Sequence, residues 1–292
     1  MALRIGFRGL EVFVAIADCA TVTRAAELLA QTQSAASQAL AALEQGLGAS
    51  LFDRVGRRLV LNENGRLLLP KARAMLDLGM EAQNLLSGAA AHLRLGASTT
   101  IANYLLPPCI AGFRQLHVDA GVDLLVGNTQ AIINAVAAFR VDVGFIEGPC
   151  HHPDLRITPW RDDELLVVVA ATHDLATREA SMAQLAQQAW IMRESGSGTR
   201  EEADRLLLPR LGAFSVAMEL GDSEAIKHVV AAGLGVSCLP RCVVAQQLQR
   251  GELHALPLPP LMRKLYRVMH RDKALTRGME RFLGFTAVQG TG

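Results

Sequence analysis

The hydrophobic periodicity of this chain changes near Leu93, and that change constrains the fold more than any other feature. Residues 8–44 place apolar side chains at helical spacing, whereas short β-rich runs alternate with helical stretches from Leu93 onward. Strands that alternate with helices imply parallel α/β sheets. A chain of 292 residues is long enough for a small helical head followed by a larger α/β body.

The last of three predicted helices in the head carries a candidate recognition surface. Thr21 and Thr32 are placed to cap the second and third helices, and the small Ala25-Ala26 pair allows close helix approach. One face of the third helix is apolar, whereas the opposite face is short, polar and uncharged, which suits insertion into a major groove. A solvated face with no nucleic-acid role is the alternative. The polar face consists of Gln33, Ser34, Ser37, Gln38 and Ala41.

Residues 51–61 have the pattern of a β-hairpin with Gly56 at its turn and three arginines projecting from it. Beside a recognition helix such a hairpin acts as a wing, and its arginines would meet phosphates or the adjacent minor groove. The candidate DNA contacts of the head are therefore Thr23, Arg24, Gln33, Ser34, Ser37, Gln38, Arg54, Arg57 and Arg58.

The net charge of +1 taken alone speaks against a nucleic-acid partner, since DNA-binding proteins usually carry a basic excess. The charge is unevenly divided, however. Residues 1–73 hold nine basic and six acidic side chains, a net charge of +3, and the remainder holds 20 basic and 22 acidic side chains, a net charge of −2. This division fits a DNA-binding head on a neutral to acidic body.

Fixed spacings across the head, from Ala25-Ala26 through Gln33 and Ser37 to Leu51-Phe52, Asn62 and Gly65, together resemble the winged helix-turn-helix of LysR-type transcriptional regulators. Several spacings occur together across the whole segment, although Asn62 stands where the family more often has threonine. The resemblance implies double-stranded promoter DNA as a partner, a homodimer or homotetramer, and RNA polymerase as a further candidate partner. The matching residues are Ala25-Ala26 with Leu28 and Leu29, Gln33 and Ser37, Leu43-Glu44 with Leu47-Gly48, Leu51-Phe52 with Arg54, and Leu61-Asn62 with Gly65.

A long helix is predicted from about Glu63 to Ser87, with Asn62 as its N-cap. Its apolar and small residues alternate at spacings of four and three, as in a short coiled coil. Together with the family resemblance this favours a dimerisation linker, so that two wings read two half-sites. A helix packed on its own domain is the alternative. The predicted seam consists of Leu68, Ala72, Met75, Gly79, Ala82 and Leu86.

The body resembles the effector domain of the same regulators, which is itself similar to periplasmic binding proteins. We therefore expect the α/β fold class, with an N-terminal winged helix-turn-helix over residues 1–61, a linker helix over 62–90 and a two-lobed effector domain over 91–292. Lobe I is expected at about 91–161 and 266–292, and lobe II at about 162–265. Strand residues 165–171 would start the second lobe and residues 265–270 would complete the first.

Several predicted strands end in hydroxyl or amide side chains where a helix begins, and such helix starts favour anions. The loop from Arg193 to Arg200 is the sharpest of these signals, because its glycines allow close backbone approach and its arginines supply countercharge. Such a loop also occurs merely to cap a helix, and Glu147 could equally face solvent. The candidate effector site comprises Ser98, Thr99, Thr100, Asn128, Thr129, Glu147, Arg193, Ser195, Ser197, Thr199 and Arg200.

Three segments resemble one subgroup of these regulators in particular. Its members control sulfur assimilation, including the sulfite reductase genes, or carbon fixation. These segments are STTIANYLLP, GFIEGP and RESGSGTRE. The resemblance implies a small inorganic or phosphorylated oxyanion as effector, and the hydroxyl-rich strand ends favour sulfite or sulfate. We expect this anion to close the two lobes and so change the angle between paired DNA-binding heads, as in a transcriptional activator.

Other functional classes are less well supported by the residues. The longest apolar run is too short for a membrane helix and the N-terminus lacks a signal peptide, so we expect a cytoplasmic protein that does not bind membranes. The five scattered cysteines fit reduced thiols, with redox sensing as an alternative at Cys238 and Cys242. We expect neither a metal nor another cofactor. The rival hypothesis is a two-lobed small-molecule-binding protein or enzyme, but no nucleophile with an oriented base is suggested.

Overall fold

The computed structural model describes residues 5–56, 58–87, 92–178 and 181–288. The chain divides into two compact units. The first unit contains Met1–Ala90 together with the short segment Asp272–Thr276, and the second contains Ala91–Arg271 and Arg277–Gly292. Arg57 of the wing lies outside the described residues, as does the side chain of Leu86.

The first unit is a helical head with a hairpin, as predicted. Thr21 and Thr32 cap the second and third helices by accepting hydrogen bonds from backbone amides, and Gly56 takes the positive φ of +62° that the hairpin turn needs. The Asn62 side chain accepts from the amide of Gly65 at 3.0 Å and so caps the long fourth helix. The elements are α1 (Phe7–Cys19), α2 (Val22–Leu28), α3 (Gln33–Leu47), β1 (Phe52–Val55), β2 (Arg58–Leu61) and α4 (Glu63–Ser87).

Much of the predicted seam of α4 packs onto its own unit, which corrects the assignment of that face to a partner chain. Ala72 is fully buried, and Leu68 and Met75 pack against the core that α1 and α3 form. A side chain in place of Gly79 would meet the ring of Phe7 at 2.7 Å. The physical reason is that α4 has two apolar faces and the head needs one of them to close its core. The other face leaves Leu67 and Leu78 exposed.

The second unit alternates strands and helices over most of its length, although β5 leads directly into β6 and β10 into β11. A π-helix over Ile101–Leu105 precedes α5, and a short 3-10 helix covers Asp174–Ala176. The other elements are β3 (His92–Ser98), α5 (Leu106–Leu116), β4 (Gly121–Gly127), α6 (Thr129–Ala137), β5 (Val143–Glu147), β6 (Leu155–Ala170), α7 (Met182–Ala186), β7 (Trp190–Arg193), α8 (Gly198–Leu211), β8 (Val216–Leu220), α9 (Ser223–Ala231), β9 (Ser237–Pro240), α10 (Arg241–Arg250), β10 (Leu253–Ala255), β11 (Leu261–His270) and α11 (Arg277–Val288).

The sheets are mixed rather than purely parallel, which corrects the prediction from strand and helix alternation. Strand β3 pairs in parallel with β4 and β5, and β7 pairs in parallel with β8. The long strands β6 and β11 pair antiparallel with each other, and β5, β9 and β10 add to them antiparallel. The reason is that β6 and β11 carry the chain in opposite directions between the two halves of the unit.

These two crossing strands define lobe I, which holds β3 to β5, α5, α6 and α11, and lobe II, which holds β7 to β10 and α7 to α10. In both lobes helices cover both faces of the strands. In lobe I, for example, Phe113 of α5 packs on one face and Ile132 of α6 on the other. The register of β11 against β6 shifts between Leu265 and Tyr266, beside the predicted lobe boundary. The boundaries at 161/162 and 265/266 themselves stay predictions.

Candidate functional site

The polar face of α3 is exposed on the head. Gln33, Ser34, Ser37 and Gln38 are all accessible, because the opposite face of the helix, which includes Leu40, is buried in the core of the head. Ala25 and Ala26 are almost completely buried and allow α2 to lie close to α3. Thr23 and Arg24, in the first turn of α2, are also exposed. The structure therefore leaves these predicted DNA contacts available to a ligand.

The wing presents its described arginines on opposite faces. Arg54 lies opposite Leu59 in the hairpin, on the face that packs towards the core of the head, whereas Arg58 lies opposite Val55 on the outer face. Both arginine side chains are exposed. The amide of Leu59 bonds to the carbonyl of Ala20 at 2.9 Å and so anchors the hairpin to the end of α1. The two arginines can therefore reach different parts of a DNA backbone.

The centre of the second unit holds a buried carboxylate that collects donors from both lobes. Glu147, at the end of β5, accepts from Ser98 Oγ at 3.1 Å and from Thr199 Oγ1 of α8. Arg263 Nη1 on β11 donates to Glu147 Oε2 at 3.2 Å and to Thr199 Oγ1 at 3.0 Å. The Glu147 and Arg263 side chains are 2% and 0% exposed. Lobe I, lobe II and a crossing strand thus meet at one carboxylate.

The buried charges stabilise one another. Burial by itself raises the pKa of Glu147, but the charge of Arg263 and the hydrogen bond from Thr199 outweigh it, so the pKa is lowered. Burial tends to lower the pKa of Arg263, and the charges of Glu147 and Asp163 raise it instead. Arg263 Nε also donates to Asp163 Oδ2 at 2.7 Å. The carboxylate and the guanidinium therefore both stay charged at neutral pH.

Thr100 contributes a polar atom without a partner at this centre. The residue is 1% exposed, and within the described part of the chain Thr100 Oγ1 has no hydrogen bond of acceptable geometry. The hydroxyl nevertheless lies near enough to the Glu147 carboxylate to help lower its pKa. A buried hydroxyl without a partner costs free energy, so it is a natural point of contact for a ligand.

The remaining loop residues form a second set of contacts between the lobes. Asn128 caps α6 by accepting from the amide of Ala131 at 2.9 Å, and its Nδ2 donates to Glu194 Oε1 at 3.2 Å. Thr129 Oγ1 donates to the carbonyl of Glu147 at 3.2 Å. The Gln130 amide bonds to the carbonyl of Gly196 at 3.1 Å. The bonds of Asn128 and Gln130 join the starts of α6 and α8, whereas the bond of Thr129 lies within lobe I.

Both predicted countercharges of the loop have carboxylate partners of their own. Arg193 donates Nε to Glu194 Oε2 at 2.7 Å and Nη1 to Ser223 Oγ at 3.1 Å. Arg200 donates to Asp204 at 2.7 Å and to Glu219 at 3.3 Å. Neither arginine donates a hydrogen bond to Glu147 among the contacts of the described residues, although the charge of Arg193 helps to lower the pKa of Glu147. A ligand anion at either position would therefore compete with a protein carboxylate.

Three further predicted site residues stand apart from the buried cluster. Ser197 acts as the N-cap of α8, accepting from the amide of Arg200 at 3.5 Å. Ser195 is exposed and Thr99 is half-buried. The structure thus separates the predicted set into a central group and a peripheral group. The central group is Ser98, Thr100, Glu147 and Thr199.

Sequence reasoning missed Arg263 and Asp163, which complete the central group. One signal could have found Arg263. In β11, Leu261, Arg263 and Leu265 occupy alternate positions that all face the interior, so an arginine stands where the pattern calls for an apolar residue. A buried charge requires a partner, and such a position marks a candidate site.

The lobes approach each other closely at this centre. A Cβ atom at Gly198 would lie 2.1 Å from the carbonyl oxygen of Glu147, and a Cβ atom at Gly196 would lie 3.2 Å from Gln130 Cβ. Gly196 also takes a φ of +85°, which favours glycine. The glycines of the predicted loop thus allow α8 to start directly against the end of β5.

The cysteines do not form disulfide bonds within the described residues. All five cysteines are free, and burial raises the pKa of Cys238 and of Cys242 to about 12, which disfavours the reactive thiolate. Within the described ranges, no group of three His, Cys, Asp or Glu side chains is placed to hold a metal ion. No helix in the described part of the chain is long and apolar enough to cross a membrane.

Comparisons with known proteins agree with this architecture. The model of the bacterial regulatory helix-turn-helix protein, lysR family, matches residues 7–66, and that of the LysR substrate binding domain matches residues 87–289. The chain is 50% identical over 285 residues to the uncharacterized HTH-type transcriptional regulator YeiE of Escherichia coli (strain K12), covering 97% of each chain.

A second relative and a solved structure extend the likeness. The chain is 31% identical over 290 residues to the RuBisCO operon transcriptional regulator of Allochromatium vinosum, covering 97% of this chain and 96% of that protein. A full-length OxyR variant from Pseudomonas aeruginosa has a similar fold, with a TM-score of 0.77 at 22% identity over 97% of this chain and 94% of that chain. The resemblance to carbon-fixation regulators is confirmed by the first of these.

Proposed function

Because this chain belongs to the LysR family of DNA-binding transcriptional regulators, which are not enzymes, we propose that a small oxyanion bound at the Glu147 cluster controls its binding to promoter DNA. The observation that carries the proposal is the set of buried hydroxyl donors and one arginine gathered around a single carboxylate. Such donors recognise negatively charged oxygen atoms. The regulator acts on chromosomal promoters in the cytoplasm.

The Glu147 carboxylate marks the position of the effector. Ser98, Thr199 and Arg263 already donate to its two oxygens. Two anions cannot share these donors without strong repulsion, so the Glu147 side chain moves out when an oxyanion enters. The entering anion then keeps Arg263 paired and offers an acceptor to the Thr100 hydroxyl, which has no hydrogen bond of acceptable geometry among the described residues.

Sulfite or sulfate is the effector that this donor set favours. Three hydroxyls and a guanidinium match an ion with three or four oxygen atoms and no apolar part. An aromatic acid would need apolar lining that the central group does not supply. The sequence resemblance to regulators of sulfur assimilation supports the same class.

The protein acts as a homodimer, or as a homotetramer built from it, so that two heads bind two half-sites. The exposed face of α4 supports this arrangement. Leu67 and Leu78 are 69% and 50% exposed and lie on one side of the helix, since eleven residues complete about three turns. A partner helix would cover them. Effector binding favours one arrangement of the paired heads over another.

The DNA-binding part is tested by gel shift with the full chain and its own upstream intergenic DNA. Gln33→Ala and Ser37→Ala should change sequence preference, because these side chains reach base edges. Arg54→Ala and Arg58→Ala should weaken binding to specific and random DNA alike. Each should also reduce the salt slope by about one unit, because each removes one cation that neutralises a phosphate.

Arg156→Ala, an exposed arginine on β6, is the matched control and should leave binding unchanged. Absence of specific binding to any promoter region of its own genome would refute the assignment. Equal losses from all four head variants on both kinds of DNA would refute the division between base and phosphate contacts.

The effector part is tested by calorimetry of the full chain with sulfite and with sulfate. Thr100→Ala should weaken anion binding at least tenfold, because it removes a buried donor, while gel shifts stay unchanged. Glu147→Ala should tighten binding, because the competing carboxylate is gone. Thr158→Ala on the exposed part of β6 is the control. Unchanged affinity in Thr100→Ala together with weaker binding in Glu147→Ala would refute this location.

A further inference from the structure

One side chain of lobe I that lies outside the carboxylate cluster contacts lobe II. Tyr104 lies in the π-helix of lobe I, and its ring packs against the apolar cluster of lobe II that includes Ile226 and Val243. Its hydroxyl donates to Glu224 Oε1, in the first turn of α9. This contact joins the lobes through a side chain that the anion site does not use.

Glu224 is held in place to accept this bond. Lys227, which is 5% exposed, donates Nζ to both oxygens of Glu224 at 2.9 and 2.8 Å and to the carbonyl of Val243 at 3.4 Å. Burial raises the pKa of Glu224, but hydrogen bonds from Lys227 and Tyr104 lower it further than burial raises it. Burial and the neighbouring carboxylate raise the pKa of Tyr104. At neutral pH the phenol therefore keeps the proton that it donates to a charged acceptor.

The same short stretch of chain carries both the anion-site hydroxyls and the tyrosine. Ser98 ends β3, Thr100 follows it, and Tyr104 lies one turn later in the π-helix. In a π-helix each backbone hydrogen bond spans five residues instead of the four of an α-helix, and single π-helical turns occur often at functional sites. Any shift of this stretch when an anion contacts Ser98 and Thr100 moves Tyr104 relative to Glu224.

We propose that Tyr104 is a positioning residue that clamps the lobes closed through Glu224 and couples this closure to occupancy of the anion site. The coupling rests on the proposed function, whereas the clamp itself exists without a ligand. A closed arrangement stabilised by the clamp binds an anion more tightly, because less of the binding free energy is spent on closure.

The clamp is tested first without any anion, by hydrogen exchange of the full chain. Tyr104→Phe keeps the ring and removes only the donor, so we expect the amides of Ile101–Leu105 and of α9 to exchange faster. Glu224→Ala should have the same effect. Tyr266→Phe is the matched control, because Tyr266 is the only other tyrosine in the sequence and lies on β11. Wild-type exchange rates in both clamp variants would overturn the proposal.

The coupling is tested by calorimetry of the same variants with sulfite. A hydrogen bond to a charged group corresponds to roughly a tenfold change in equilibrium, so Tyr104→Phe should weaken sulfite binding by up to about tenfold. The double variant with Glu224→Ala should bind no more weakly than Glu224→Ala alone, because the two residues act as one contact. Two fully additive losses would indicate separate structural roles and overturn the clamp.

The two proposals fail in different ways. If the wild-type protein binds neither sulfite nor sulfate, the effector assignment fails, while ligand-free exchange still decides whether Tyr104 clamps the lobes. If exchange is faster in Tyr104→Phe but sulfite affinity is unchanged, the coupling is overturned. Faster exchange together with weaker, non-additive sulfite binding supports the whole proposal.

Discussion

Glu147 and Arg263 form a buried ion pair that affects both the stability of the second unit and its proposed ligand site. Arg263 and Glu147 are almost completely inaccessible, and removing one partner of such a pair leaves a buried charge, which costs about 3–5 kcal/mol. Asp163 reduces that cost for Arg263, since it remains as a second partner. In the proposed mechanism the arginine therefore keeps a partner when Glu147 moves away and an anion replaces it.

Gly198 is a position where a single added methyl group should separate α8 from β5. A Cβ atom there would lie 2.1 Å from the carbonyl oxygen of Glu147, so Gly198→Ala forces α8 away from β5. We expect a loss of unfolding free energy of about 1–3 kcal/mol, as for other overpacked sites, and weaker anion binding. Thermal unfolding and calorimetry of the full chain measure both. Gly284→Ala, with open space around it on α11, is the control: it should raise the unfolding free energy by up to about 1 kcal/mol, as alanine does in place of a helical glycine, and leave anion binding unchanged.

Helix α4 shows how one element can carry two apolar faces. Its inner face, with Ala72 and Met75, completes the core of the head, while Leu67 and Leu78 stay exposed on another face. A coiled-coil pattern in the sequence cannot distinguish a partner helix from the same chain's own core, because both bury residues at spacings of three and four.

We predict that Leu67→Glu dissociates the proposed dimer, because it places a charge on the face that the proposed partner helix would cover. Met80→Glu is the matched control, since Met80 is 60% exposed on the same helix but points in a different direction around its axis. Sedimentation equilibrium of the full chain measures the dissociation constant. Dissociation by Met80→Glu and not by Leu67→Glu would show that the partner helix binds a different face of α4 from the one proposed.

Three carboxylates join the two lobes of the second unit. Glu147, Glu194 and Glu224 each accept hydrogen bonds from residues of the opposite lobe, and each has a lowered pKa. A carboxylate whose pKa is lower in the folded protein than in the unfolded chain adds stability above its unfolded pKa. That contribution is lost as the pH falls through the folded value.

The effector unit should therefore unfold more readily in acid. We expect the midpoint of urea unfolding to be constant between about pH 5 and 7 and to fall steeply below the ordinary glutamate pKa of about 4.3. Glu147→Gln should flatten this acid dependence, because the amide does not titrate. A midpoint that fell equally steeply in wild type and Glu147→Gln would exclude Glu147 as a source of the effect.

The sequence by itself determined the order of the parts and much of their local structure. Local backbone chemistry, which acts between residues close in the chain, explains the caps at Thr21, Thr32 and Asn62 and the hairpin turn at Gly56. It also explains why hydroxyl side chains lie where β3 ends and a helix begins. Tertiary structure alone decided that β6 and β11 pair antiparallel. It also decided which face of α4 closes the head and that Arg263, 116 positions from Glu147, becomes its buried partner. These features depend on contacts between distant segments, and neither propensity nor spacing encodes which of several apolar faces or charges will meet.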